Sequence, residues 1–406
     1  MQTLADLLIQ KIPPLQLVPD EFVYLGVQVV FGLLMLMIFV APFAGILSWV
    51  ERRIAARMMD RVGPNRVGPQ GFFQWIADGI KSLLKEDIIP TAADPILFRL
   101  APYLVFAGMF AAFVVIPFSS SVIIADLNVG IFYLLAVTSI VVIGILMSGW
   151  ASNNKYSLLG GMRSAAQIVS YEIPAGLAIL AVVFLSGSLS MQDIIKAQGA
   201  YPWQWFLFDN PFMPIAFVSL FISALAEGNR TPFDIPEAES ELVSGYSTEY
   251  SGMRFVFFYF EEWANIYLIA AVGTTLFLGG WQIPPSVRAW AVATGPTLGV
   301  ILPHLLEFVT FFLKAAVMVF VIIWIRWTLP RVRVDQLMLI SWKYLTPFGF
   351  VASLGVASWM ILFPAGVPAV RIALCGGFVT LVGYFFYRVG YQVWYTRQPI
   401  HLNPFV

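Results

Sequence analysis

Nine apolar runs organise the chain, at 23–50, 98–120, 129–150, 166–187, 212–227, 263–281, 302–328, 341–363 and 368–388. A helix needs about 20 mostly apolar residues to cross a bilayer, so the pattern predicts an all-α, polytopic transmembrane helix bundle of about nine spans. The fifth run is short and stops at Glu227. Only Pro364–Pro368 part the last two, leaving eight spans with a re-entrant end as the alternative. The first run exceeds a signal-peptide core, and Pro13, Pro14, Pro19, Asp20 and Glu21 precede it where a cleavable signal has basic residues. It therefore reads as a span. One stretch has another period. In 72–85, Phe72, Ile76, Ile80 and Leu83 share a helical face, with Gln74, Asp78, Lys81 and Lys85 off it. That is the pattern of an amphipathic helix lying in the membrane interface. No internal repeat divides the chain, which reads as a single membrane domain over 1–406.

Charge orients this pattern. With the N-terminus outside, 18 of the 23 lysines and arginines fall on inner segments, leaving Lys11, Lys196, Arg288 and Arg371 outside and Lys314 within a span. Inner loops are the positive ones, so the N-terminus is expected outside and the amphipathic helix in the first cytoplasmic loop. Trp203, Trp205, Trp281 and Trp290 fall in or beside outer segments, where indoles anchor at the headgroups.

Composition agrees: 59% of 406 residues are hydrophobic and 11% charged, a surplus that needs lipid as solvent. Zero formal net charge argues against nucleic acid as a partner. One cysteine, Cys375, rules out an internal disulfide. With only His304 and His401 beside it, no redox metal centre is expected.

The candidate chemistry lies in two long inner loops. The first carries Glu51-Arg52-Arg53, Arg57 and Arg61, then Asn65 and Arg66 in a stretch stiffened by Gly63, Pro64, Gly68 and Pro69. These arginines suit topology and anionic headgroups, or the mouth of a site for an amphipathic ligand or soluble partner. Asp78 follows, either as a solvated charge near Lys81 and Lys85 or facing a ligand.

The second loop holds eight of the 23 acids within 227–262, against Arg230 and Arg254 alone. Asp234, Pro236 and Glu237 look like a capping box opening a helix, which accounts for Asp234, Glu237 and part of Glu239. It leaves Glu227, Glu241 and Glu262 unexplained. Glu237 and Glu241 would share a face at i, i+4, where like charges repel and protons are retained in low dielectric. Coupled carboxylates at a membrane edge suit a proton relay. Within spans lie Glu172 and Lys314, both costly there and hence functional candidates. Glu307, two turns before Lys314, is too far to pair with it and reads as snorkelling to the outer surface.

Taken together, a series of motifs resembles the H-type membrane subunit of bacterial complex I, the proton-pumping NADH:quinone oxidoreductase. In order they are Glu51-Arg52-Arg53, Gly63-Pro-Asn-Arg-Val-Gly68, Ala77-Asp78, Lys85-Glu86-Asp87, Gly149-Trp-Ala-Ser-Asn-Asn-Lys-Tyr-Ser-Leu-Leu-Gly160, Glu227-Gly-Asn-Arg-Thr-Pro-Phe-Asp234, Pro236-Glu-Ala-Glu-Ser-Glu-Leu242 and Glu249-Tyr-Ser-Gly-Met253. The resemblance spans 22–363, leaving 364–406 as an extra span and tail. It implies that Arg52, Arg61 and Asp78 line or shape a quinone tunnel. Glu172, Glu227, Glu237, Glu239, Glu241, Glu262 and Lys314 would form a proton relay tuned by Arg163 and Arg230. It further implies quinone as substrate, iron–sulfur clusters and FMN in partner subunits, antiporter-like membrane neighbours, and the bacterial inner membrane. Rival readings are the homologous membrane subunit of a ferredoxin- or deazaflavin-linked dehydrogenase or membrane-bound hydrogenase, a stand-alone proton or cation transporter, and a membrane anchor for redox subunits.

Overall fold

The computed structural model describes residues 20–396 except 296, 297 and 365, without the side chains of 20, 21, 239, 240 and 393–396. The early prolines, Lys11, Arg397 and His401 lie outside the described residues. Eight described helices are long and apolar enough to cross a membrane. They are α1 (Phe22–Met58), α3 (Pro95–Val115), α4 (Gly130–Ala151), α5 (Lys155–Ser186), α9 (Gly252–Phe277), α11 (Leu298–Thr328), α12 (Val334–Leu362) and α13 (Pro368–Gln392). Between them lie α2 (Gln74–Leu83), α6 (Met191–Ala197), α7 (Met213–Glu227), α8 (Glu239–Leu242) and α10 (Pro285–Val292).

The short fifth run is α7, whose 15 residues rise about 22 Å, less than a ~30 Å hydrocarbon core. Its charged end therefore stops at Glu227 inside the bundle. The last two runs form separate helices, each long and apolar enough to cross a membrane.

Local signals set the helix ends. Asp94 caps α3, accepting from the N–H groups of Ile96 and Leu97 at 3.0 and 3.2 Å, with Pro95 in the first turn. Asn154 caps α5 at Tyr156, and Gly187 ends it with φ +67. The core gathers around α9, the most buried span, while none of the span window of α13 is buried.

Two packing features position the chemistry. Gly160 of α5 abuts Gly245, where an added Cβ would meet the Gly245 Cα at 2.7 Å. The acidic segment is thereby laid directly on α5. Across α1, α9 and α11 an aromatic layer forms around Tyr267, with Phe43 at 4.7 Å and Phe312 beyond it. It separates the arginine-rich end of the bundle from the end that carries Glu307.

Two local expectations change. Residues 234–237 open no helix: α8 begins at Glu239 with Ala238 before it and no side-chain cap. Asp234 instead pairs with Arg331 at 2.9 Å, and a long-range guanidinium competes well with a backbone N–H for a carboxylate. Glu307 does not snorkel. It is fully buried, with the Ser120 N–H and Oγ donating to Oε2 at 3.0 and 2.6 Å, His304 at 3.4 Å and Arg288 at 3.6 Å. Local donors replace water there, so burial is the cheaper solution.

Candidate functional site

At the arginine-rich end, α1, α2 and α9 enclose a cavity of about 350 Å³. The predicted amphipathic helix is α2. Its Ile76, Ile80 and Leu83 face outward, while Trp75 and Asp78 line the cavity. One end of the cavity is polar: Arg52 donates to Asp78 at 2.6 Å, Gln74 adds a bond at 3.2 Å, and Lys81 lies at 3.4 Å. Burial opposes the charge of Asp78, but the bonds from Arg52 and Gln74 outweigh it and hold the carboxyl below its ordinary range. The remainder is aromatic, from Trp75, Phe255, Tyr259, Phe260 and Trp263. Arg61 stands apart, in a second pocket with Arg53 and Arg57.

Trp263 is the wall between this cavity and a buried ionic network. Arg230 lies over its ring at 4.8 Å. The turn after α7 buries Arg230 completely. Gln167 of α5 fastens that turn by donating to the Ala226 and Phe233 carbonyls at 2.7 and 2.8 Å and to Asn229 at 3.2 Å. Asn229, at φ +47, donates in turn to Ser164 at 3.0 Å. Arg230 then reaches Glu262 of α9 at 3.3 Å and Glu51 of α1 at 3.8 Å. The other oxygen of Glu51 takes Arg326 of α11 at 2.5 Å. Burial works against the Arg230 charge, yet Glu262, Glu51, Glu237 and Glu261 together raise its pKa above the ordinary arginine value.

Glu237 continues the line. It accepts from the Tyr246 hydroxyl at 2.9 Å and lies within hydrogen-bonding reach of Glu262. Burial first, and the Glu262 charge second, push its pKa well above the usual carboxylate value. Asp234 is also raised, by burial, with Arg331 opposing. Burial and Glu237 raise the Tyr246 phenol as well. Glu51, Asp234, Glu237, Glu261 and Glu262 thus outnumber Arg230, Arg326 and Arg331, five to three. That excess of carboxylates adds to burial in raising Glu237.

A second segment leads sideways. Asn265 bonds Glu261 and lines a small cavity of about 50 Å³ whose walls include Thr138, Met318 and Glu227. One Glu227 oxygen is buried without a partner among the described residues. Glu172 is near enough to act on Glu227 electrostatically, and itself accepts from Ser139 at 2.9 Å.

The structure thus gathers Glu227, Glu237, Glu262, Glu172 and Arg230. It sets others apart. Glu241 is half-exposed and pairs with Arg163 at 2.6 Å, so Glu237 and Glu241 do not share a helical face. The Glu239 side chain lies outside the described residues. Lys314 donates instead to the Leu278 and Gly280 carbonyls at 2.8 and 2.9 Å, over Trp205 at 4.9 Å. It caps the end of α9.

Sequence reasoning missed Glu51, Arg326, Glu261, Gln167, Tyr246 and Trp263. Glu51 had a usable signal, since it ends an apolar run just as Glu227 does. Its partner Arg326, 275 residues away, had none.

Comparison with known proteins bears on this site. A family model described as NADH dehydrogenase matches residues 31–357. The H-type NADH-quinone oxidoreductase subunit of Anaeromyxobacter dehalogenans is 55% identical over 344 residues, 83% of this chain and 82% of that protein. The H-type subunits of the same oxidoreductase from Chlorobium luteolum and Dehalococcoides mccartyi are 48% and 47% identical, over 77% and 85% of this chain and 84% and 91% of their own lengths.

Proposed function

The chain belongs to the NADH dehydrogenase family, and from that premise we propose that, as the H-type membrane subunit of an NADH-quinone oxidoreductase, it admits quinone at the α1–α2–α9 cavity and couples quinone reduction to proton movement. The observation carrying this reading is Trp263, which lines the cavity on one side and holds Arg230 on the other.

An amphipathic substrate suits the cavity. Its apolar tail meets the aromatic part, its head passes the Arg52–Asp78 end, and the outward apolar face of α2 lies in the lipid interface. Quinone takes up two electrons and two protons to become quinol. The electrons come from iron–sulfur clusters of a soluble partner docked on the arginine-rich end, which receives them from NADH through FMN. That end faces the cytoplasm of a bacterial inner membrane, by the distribution of positive charge.

Charge appearing at the quinone before its protons arrive acts on Arg230 across a single indole. In low dielectric such an interaction is strong. A shift in the hold of Arg230 on Glu262 and Glu51 changes how firmly Glu237 holds its proton. Asn265, the small cavity, Glu227 and Glu172 then carry the change sideways, toward antiporter-like membrane neighbours. In this account Arg163 and Glu241 latch α8 to α5, and Lys314 steadies the far end of α9.

Glu227→Gln in the assembled complex tests the relay. Expected are NADH oxidation by an artificial acceptor at the wild-type rate, and fewer protons translocated per quinone reduced in proteoliposomes. Unchanged quinone reduction with unchanged pumping removes Glu227 from the path.

A further inference from the structure

We infer that Trp75, seated in a notch that Gly45 leaves on α1, sets the bore of the α1–α2–α9 cavity and so selects among quinones by ring bulk; this rests on reading that cavity as the quinone portal.

Gly45 lies mid-helix in a membrane span, where glycine is less favourable than alanine. The neighbour opposite supplies a reason. A Cβ placed on Gly45 would lie 2.5 Å from Cε3 and 3.0 Å from Cδ2 of Trp75. The benzo ring of the indole therefore packs against α1 at Gly45, a position that any side chain at 45 would deny it. Both residues line the cavity, with Trp263 and Phe260 contributed by α9. The space a planar head can use is thus bounded by an indole whose depth one hydrogen atom on α1 decides.

The Trp75 Nε1 is buried and has no hydrogen-bond partner among the described residues. Buried indole N–H groups normally find an acceptor. That N–H edge is turned into the packed protein and away from the open space, so Trp75 would meet the substrate as a wall.

A purely anchoring role for Trp75 is a weaker account, because α2 has other ties. Arg52 bonds Asp78, and just before the helix Arg53 donates to the Gln70 carbonyl at 2.7 Å and Trp49 donates to the same oxygen at 3.2 Å. Phe72 packs edge-on to Trp49 at 5.4 Å. Those contacts remain when Trp75 is shortened.

The test uses the assembled complex in proteoliposomes, with KM and kcat measured for quinones of small and bulky ring substitution. NADH oxidation by a hydrophilic artificial acceptor reports assembly. Gly45→Ala should push the indole into the bore and raise KM for the bulky quinone roughly tenfold, with kcat little changed. Trp75→Ala should flatten the difference between the two quinones. Adding Gly45→Ala to Trp75→Ala should then have no further effect, a non-additivity that marks direct contact. Trp75→Phe keeps most of the ring bulk, so the difference between the two quinones should persist at reduced size. If Gly45→Ala raises KM equally with and without Trp75, the bore assignment fails while the portal reading stands. If all these variants, and Asp78→Asn beside them, assemble and leave quinone KM untouched, the portal reading itself fails.

Discussion

Single carboxylates differ here by what surrounds them more than by where they fall in the sequence. Glu237 and Glu241 are four residues apart. One is desolvated against Glu262 and Tyr246, the other half-exposed and neutralised by Arg163. The raised pKa of Glu237 has a definite sign in stability. The folded state binds its proton more tightly than the unfolded state, so this group stabilises most at low pH. The contribution falls as pH rises from the ordinary carboxylate value through the raised folded one. Glu237→Gln mimics the protonated form and should flatten that part of the pH dependence, read as the thermal stability of the complex across pH. Tyr246→Phe removes the donor to Glu237 and should destabilise by about 1–3 kcal/mol, with the Glu237 pKa moving further up. Arg230 is the residue whose loss costs most. Arg230→Met leaves Glu51 and Glu262 buried without their shared cation, and breaking a buried pair costs about 3–5 kcal/mol. The expected readout is loss of assembled complex, and partial recovery on adding Glu262→Gln.

The elements were legible to different degrees, for physical reasons. Every long span follows from lipid solvation, because a helix facing acyl chains must be apolar over its whole length. The short α7 and the amphipathic α2 were equally visible, since length and period alone decide them. The capping box at Asp234–Glu237 misled because local spacing is blind to Arg331, 97 residues away, which takes the Asp234 carboxylate. Glu307 misled in the same way, its donors on Ser120 lying 187 residues off. Of the site, the acids of the second loop stood out as an anomaly of charge, whereas Glu51 was hidden beside Arg52 and Arg53 as apparent topology signal. At α2 the Arg52–Asp78 pair is partly exposed, so it is worth only about 0.2–1 kcal/mol. Asp78→Asn should therefore leave assembly intact and appear instead as an up to several-fold rise in quinone KM, as Arg52 at the cavity loses its anchor. With its pKa lowered, Asp78 stays ionised, and this KM should be flat above about pH 5.

At the scale of the molecule, an aromatic layer at Phe43, Tyr267 and Phe312 divides two ionic groups: the acid network at one end, and Glu307 with Ser120, His304 and Arg288 at the other. The polar line that starts behind Trp263 runs across the bundle to Glu227 and Glu172, and not through that layer. The proposed lateral coupling to neighbouring subunits would use this layout. The last span, α13, stands outside it, touching the rest through the Asp209–Arg371 ion pair and the Phe208–Phe378 and Trp324–Phe385 ring contacts. Truncation after Phe363 should leave quinone reductase activity within about twofold of wild type, since a peripheral element unfolds without the core. In the proposed coupling, quinone reduction changes protonation in the buried acid network. Reduced-minus-oxidised infrared difference spectra of the assembled complex, wild type against Glu237→Gln, read that change. A carboxylic-acid band present in the wild type and missing from the variant is expected; identical spectra from the two would rule the coupling out at Glu237.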